Sequence, residues 1–268
     1  MHASLRDLLL SSAAFVLSVA ALAQTPRTPV LVELFTSEGC SSCPSADALL
    51  AHLLKDQPVS SADILVLEEH VDYWDQLGWH DRFSSHEFTD RQSRYVRRFG
   101  LDDNYTPQMV VDGADQFVGN DAAHALRSIA QAARAPKSSL NLSPLIFDAN
   151  HITGTVSILP SAIPPPPRSD LFAAVIETMA STQVLHGENG GRTLNHVSVL
   201  RTLQRIGSPG DAISAPLKFS VAAPSDTSTT RLRVVVFLQR ADQGPILGVV
   251  ASAPNAGNRR LPVTHTLH

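Results

Sequence analysis

Cys40 and Cys43 are the only cysteines in a chain of 268 residues. They stand in Gly39-Cys40-Ser41-Ser42-Cys43-Pro44, after an apolar run, in what is expected to be the first turn of a helix. A Cys-x-x-Cys in that setting is a redox pair or half of a metal site. At a helix start, unpaired backbone N–H groups and the positive end of the dipole favour thiolate over thiol. That environment lowers a cysteine pKa from about 8.5 toward about 3.5–7.5, and the thiolate is the attacking species in disulfide exchange. Cys40 would then attack, and Cys43, one turn on, would resolve. The hydroxyls of Ser41 and Ser42 could donate to the sulfur. For a metal, two cysteines do not close a tetrahedral zinc site. His70, Asp72, His80 or His86 would have to complete it, and Cys40, Cys43 and His70 together would suit copper at least as well. A static disulfide is the third reading.

Three further stretches carry chemistry. His70 to Asp81 holds both tryptophans, Trp74 and Trp79. His70 could be a base, a ligand, or a structural histidine bonded to Asp72 or Asp75; the tryptophans are core residues or a wall of the site. His186 to His196 (HGENGGRTLNH) concentrates Gly, Asn, His and charge, as functional loops do. Its Glu188, Asn189, Arg192, Asn195 and His196 form either a self-bonded loop with an Arg–Glu pair or a loop leaning over Cys40 to shape substrate access. Thr106-Pro107 precedes the apolar Met109-Val110-Val111.

The elements that must position these groups follow from periodicity. Val30 to Phe35, apolar except for Glu33, suits a strand buried on both faces. Ala46, Leu49, Leu50, Leu53 and Leu54 give the apolar stripe of a helix packed on a sheet, with Pro44 in its first turn. A second strand is expected over Asp63–Glu69. Ser84-x-x-Glu87 matches a capping box and opens a helix through Phe99, with Gly100 after its end. Asp112-Gly113 is a hairpin signal, and Asp121 can cap a last helix. Beyond Ala135-Pro136-Lys137 short β-type runs dominate, which points to a β-sandwich.

Composition narrows the classes. The chain is 43% hydrophobic and 17% charged with a formal net charge of −4. That excludes the basic footprint of a nucleic-acid binder and a polybasic membrane patch. The run LLLSSAAFVLSVAALA ends in Ala21-Leu22-Ala23, matching a signal peptide cleaved near Ala23; the alternative is an uncleaved anchor. The run is short against the roughly 20 residues of a membrane span. We therefore expect a secreted or periplasmic protein with no stable membrane span after processing. In an oxidising compartment the two thiols should pair unless a partner reduces them.

The motifs LVELFTSEGCSSCPSADALL, EEHVDYWDQLGWHDRFSS with FTDRQ, YTPQMVVDG and GENGGRTLNHVSVLR occur in this order. Together they resemble an uncharacterised family of exported bacterial proteins in the thioredoxin-like clan. The resemblance implies an α/β thioredoxin-like N-terminal domain over residues 28–135 with a helical insertion at about 71–100. An all-β, sandwich-like C-terminal domain over 138–253 and a flexible tail over 254–268 follow. It further implies Cys40 as nucleophile, Cys43 as resolving cysteine and Pro107 as a cis proline, with the disulfide as the redox centre and no other cofactor. Thr106, His70, Asp72, Trp74, Glu188, Asn189 and Arg192 are the expected substrate- or partner-contacting residues. The implied activity is thiol–disulfide exchange with a protein substrate and a separate redox partner. The alternatives are a metal-binding protein or metallochaperone using Cys40, Cys43 and His70, and a non-catalytic binding module with a structural disulfide. Unlike thioredoxin itself, the chain has no Trp before Cys40 and no Gly-Pro between the cysteines.

Overall fold

Thr28–Thr36 forms β1, and every residue from Val30 onward in it is buried. The computed structural model describes residues 27–254, except 149, 162–164 and 167. The leader expected over residues 1–23 and the tail past 254 lie outside the described residues. Among the described residues no helix is long and apolar enough to cross a membrane.

After β1 come α1 (Pro44–Asp56), β2 (Ala62–His70), α2 (His86–Phe99), β3 (Gln108–Val111), β4 (Asp115–Val118) and α3 (Ala122–Ala132). β2 pairs parallel to β1, and β3 pairs antiparallel to its other side. The β3–β4 hairpin turns at Asp112 and Gly113, both at positive φ (52° and 60°). A Cβ on Gly113 would lie 2.5 Å from the Gly244 carbonyl oxygen, so only glycine fits. One residue separates the expected and observed start of α2: Ser85, not Ser84, is the cap, and its hydroxyl accepts from the Glu87 amide.

The chain continues as β5 (Leu140–Leu142), β6 (Ile146–Phe147), β7 (His151–Ile158), β8 (Ser169–Gln183), β9 (Thr193–Gly207), α4 (Pro209–Ser214), β10 (Leu217–Ala222), β11 (Leu232–Arg240) and β12 (Ile246–Ala251). One eight-stranded mixed sheet has the order β12-β11-β8-β9-β2-β1-β3-β4. It runs straight through the position where composition shifts. A smaller sheet, β10-β7-β5 with β6 on β7, covers the far part of the large one. Between them Ile152, Val156, Val175, Phe219, Val221, Leu232 and Val234 form one core. A second core, with Leu34, Leu50, Leu53, Met109 and Ile129, lies under α1 and α3. Burying each such side chain is worth about 1.5–3 kcal/mol.

The two halves meet where β2 pairs parallel with β9 at Glu68 and Val199. Here the side-chain alternation of a strand matters. Glu68 and His70 point to one face and Glu69 to the other. On that other face Arg91 of α2 is 1% exposed. It binds Glu33 and reaches Glu69 at 3.6 Å, while the Tyr95 hydroxyl donates to Glu33 at 2.7 Å. Gln239 of β11 donates to Tyr95 at 2.9 Å, so this polar group ties the N-terminal strands to the C-terminal ones. Burial and the neighbouring Glu33 carboxylate push Glu69 well above the usual carboxylate range.

Candidate functional site

The cysteines sit in a tight turn at the carboxyl end of β1. The Cys40 amide donates to the Ser37 carbonyl and the Cys43 amide to the Cys40 carbonyl. Their sulfurs form a disulfide, S–S 2.09 Å with Cα atoms 5.4 Å apart. Pro44 supplies the first helical residue and Cys43 is the N-cap of α1. The carbonyl of Cys43 receives the Ala46 and Asp47 amides. Cys40 therefore lies in the turn ahead of the helix and not in its first turn, a correction to the expectation from periodicity. The physical reason is that Pro44 has no N–H to donate and its fixed φ favours the N1 position. Ser41 and Ser42 are exposed, yet Cys40 and Cys43 have no solvent-accessible surface.

Residues from distant stretches gather on this turn. A Cβ on Gly39 would lie 3.2 Å from the Trp74 Cβ, and the Trp74 indole N–H donates to the Thr106 hydroxyl at 2.8 Å. The Thr106–Pro107 bond is cis. Gly119 packs against Leu34, Pro107 and Ala46, with its would-be Cβ 3.0 Å from the Pro107 Cβ and 3.1 Å from that of Ala46. From the β8–β9 connection, buried Asn189 donates its amide to the carbonyls of both Glu38 and Cys40, each at 2.9 Å. Glu188 accepts the Ser41 amide at 3.1 Å, and Ser41, through its hydroxyl first and its amide second, holds the Glu188 carboxyl below the ordinary range. Arg192 donates to Asn189 Oδ1 at 2.8 Å. The loop thus bonds across to the cysteine turn, and its arginine fixes Asn189 in place of the expected Arg–Glu pair.

A buried charged cluster adjoins the same turn. His70 Nδ1 lies 2.6 Å from Asp81, and Asp81 also accepts the Glu38 and Phe83 amides. His196 Nδ1 lies 2.6 Å from Glu68, whose other oxygen accepts the Val197 amide at 2.8 Å. Trp79 donates to Glu38 at 2.8 Å. The two imidazole rings meet edge-on, with centroids 4.8 Å apart. Burial opposes charge in all these groups, but pairing wins. Glu68 is held at about 2 by His196 and His70, Asp81 at about 2 chiefly by His70, and His196 at about 9 by Glu68 and Glu38. His70 stands well above its ordinary value because of Asp81. Asp47, bonded to Thr36 at 2.7 Å, is pushed up to about 7, first by burial and then by Glu68.

Cys40, Cys43, Trp74, Thr106, Pro107, Glu188, Asn189 and Arg192 thus converge, with the His70 cluster beside them. Asp72 does not join them: it accepts from Thr89 at 2.6 Å and meets exposed His86 near the start of α2. His80 is exposed and pairs with Asp75. In this oxidised form the sulfurs offer no thiolate to a metal alongside His70. Sequence reasoning missed Glu38, Asp47 and Glu68. The signal was present in Glu68, a carboxylate within a strand otherwise apolar enough to be buried.

The model of a family described as "Protein of unknown function (DUF1223)" matches residues 31–239. A crystal structure of an Agrobacterium tumefaciens protein, a structural-genomics target, superposes with a TM-score of 0.62 at 24% identity, covering 87% of this chain and 97% of that one. HBP35 of Porphyromonas gingivalis superposes with a TM-score of 0.58 at 16% identity, covering 88% and 80%. These likenesses are of fold. No curated protein matches.

Proposed function

We propose that this chain, which belongs to the DUF1223 family, is an exported thiol–disulfide oxidoreductase whose redox centre is Cys40–Cys43. The observation that carries the reading is the disulfide itself. The chain's only two cysteines are joined at the amino end of α1, where a released Cys43 thiolate meets the helix dipole. The order β1-α1-β2-α2-β3-β4-α3, with β2, β1, β3 and β4 adjacent, supports a thioredoxin-like description of the first half. The apolar N-terminal run ending in Ala21-Leu22-Ala23 supports export.

The exchange is a balanced two-electron step. A substrate thiolate attacks Cys40 Sγ, the Cys40–Cys43 bond breaks, and Cys43 leaves as thiolate. The second substrate thiolate then attacks the first substrate sulfur in the mixed disulfide, forming the substrate disulfide and releasing Cys40 as thiolate. The substrate dithiol becomes a disulfide and the chain holds a dithiol; a thiol-oxidising partner restores it, and the reverse sequence serves reduction. Both sulfurs are covered, so exchange requires local opening of the turn, and release of the Asn189 bonds to the Glu38 and Cys40 carbonyls is the opening step of this reading. Protein substrates would then meet Trp74 and Thr106.

A second reading, a binding module with a structural disulfide, draws on the complete burial of both cysteines. Single-turnover oxidation of a dithiol peptide by the oxidised protein separates the two. The oxidoreductase yields one peptide disulfide per chain, and Cys40→Ser yields none. Failure of the wild-type protein to oxidise the peptide would favour the structural reading.

A further inference from the structure

We propose that Glu68, His70 and His196 form a binding site for one divalent transition-metal ion, separate from the cysteine pair and oriented by Asp81 and Glu38. The three residues come from β2 and β9, so the ion would sit at the seam where the two halves share the sheet.

The geometry has four parts. One ligand atom from each residue lies within 4.8 Å of the others, and all three residues are buried. His70 Nε2 stands 3.6 Å from Glu68 Oε1, too long for a hydrogen bond. It matches the edge of about 3.3–3.6 Å in a tetrahedron with metal–ligand bonds of about 2.0–2.2 Å. His70 Nε2 has no hydrogen-bond partner among the described residues although its side chain is fully buried. Such an orphan is rare in native interiors and asks for an explanation.

The surroundings have the arrangement that ligating histidines use, with the far ring nitrogen facing a carboxylate. His70 faces Asp81 through Nδ1 at 2.6 Å, which leaves Nε2 toward Glu68 as the ligand atom; a bound ion would take the place of the proton on that nitrogen. With Nδ1 of His196 as the ligand, its Nε2 faces Glu38 Oε1 at 3.5 Å, and both of those atoms are likewise without a hydrogen-bond partner among the described residues. Asp81 and Glu38 are themselves held, Asp81 by two backbone amides and Glu38 by Trp79. Coordination would replace the short His196–Glu68 contact and bring the orphaned atoms into use.

Two imidazoles and one carboxylate are a borderline donor set suited to zinc and its neighbours rather than to calcium or magnesium. Only nitrogen and oxygen ligands are required, so the site does not depend on the oxidation state of the cysteines. It is therefore independent of the proposed redox activity and can stand or fall alone.

The test is titration of the metal-stripped, oxidised protein with zinc and with cobalt(II). The readouts are metal content after gel filtration and the cobalt visible spectrum. One ion per chain is expected, with no thiolate-to-cobalt charge-transfer band. Uptake should survive in Cys40→Ser/Cys43→Ser. It should fall at least ~100-fold in affinity in His196→Ala and about 10–100-fold in Asp81→Asn, a loss typical of an orienting partner. Circular dichroism identifies any variant that fails to fold. Should His196→Ala misfold, the cobalt spectrum and stoichiometry of the double cysteine variant decide the matter. Absence of a stoichiometric ion in the wild-type protein overturns the proposal, as does an ion that is lost with the cysteines but kept in a folded His196→Ala chain.

Discussion

The side-chain amide of Asn189 donates to the main-chain carbonyl of Cys40 at 2.9 Å, across 149 positions of sequence. The same amide group holds the Glu38 carbonyl, so a single residue closes the β8–β9 loop onto the disulfide turn. Asn189→Ala removes these two neutral hydrogen bonds, each worth about 0.5–1.5 kcal/mol net, and the bond that Asn189 accepts from Arg192. The loop should open more often, and local opening governs access to the buried sulfurs. We expect dithiothreitol to reduce the variant about tenfold faster than wild type. Equal rates would show that another element guards the pair.

Gly119→Ala tests the packing behind the turn. The added methyl would come within 2.7 Å of Leu34 Cδ1, 3.0 Å of Pro107 and 3.1 Å of Ala46. Overpacking of this kind costs about 1–3 kcal/mol, read as a lower urea midpoint. A larger effect than the same change at exposed, unobstructed Gly210 is the expected contrast.

Arg91 carries the opposite face of the sheet. Replacing it with Leu would leave Glu33 and Glu69 buried without a cation, and breaking such a group from one side costs about 3–5 kcal/mol. Equilibrium unfolding should show that loss. A variant as stable as wild type would contradict this structural role for Arg91.

Asp47 sets a pH dependence. Its native pKa of about 7 exceeds the ordinary value of 3.8, through burial and then Glu68, against the lowering influence of His196, Thr36 and His70. Between those values the folded chain binds this proton more tightly than the unfolded chain, so its contribution to stability falls as pH rises. Asp47→Asn should therefore be more stable than wild type above pH 7, by up to about 4 kcal/mol. The advantage should vanish near pH 4. Parallel stability profiles would contradict the assignment.

Much of the first half was legible in the sequence because its signals are local. The stripe Ala46-Leu50-Leu53 gave α1, and the positive-φ pair Asp112-Gly113 gave the hairpin. Cys40 and Cys43 announced themselves by spacing. The start of α1 shifted because Pro44 dictates it more firmly than periodicity does. Glu68, His196 and Glu38 were not assembled in advance, since their meeting depends on β2 pairing with β9, a contact between residues more than a hundred positions apart. Arg91 carries no local signal of burial in the sequence; only the fold puts it against Glu33.

The most direct measurement of the central claim is the reduction potential of Cys40–Cys43 in the intact protein, equilibrated in glutathione or dithiothreitol buffers. A redox-active pair should fall within the range of about −270 to −120 mV spanned by exchange proteins. A potential below about −300 mV, the territory of structural disulfides, would contradict the account.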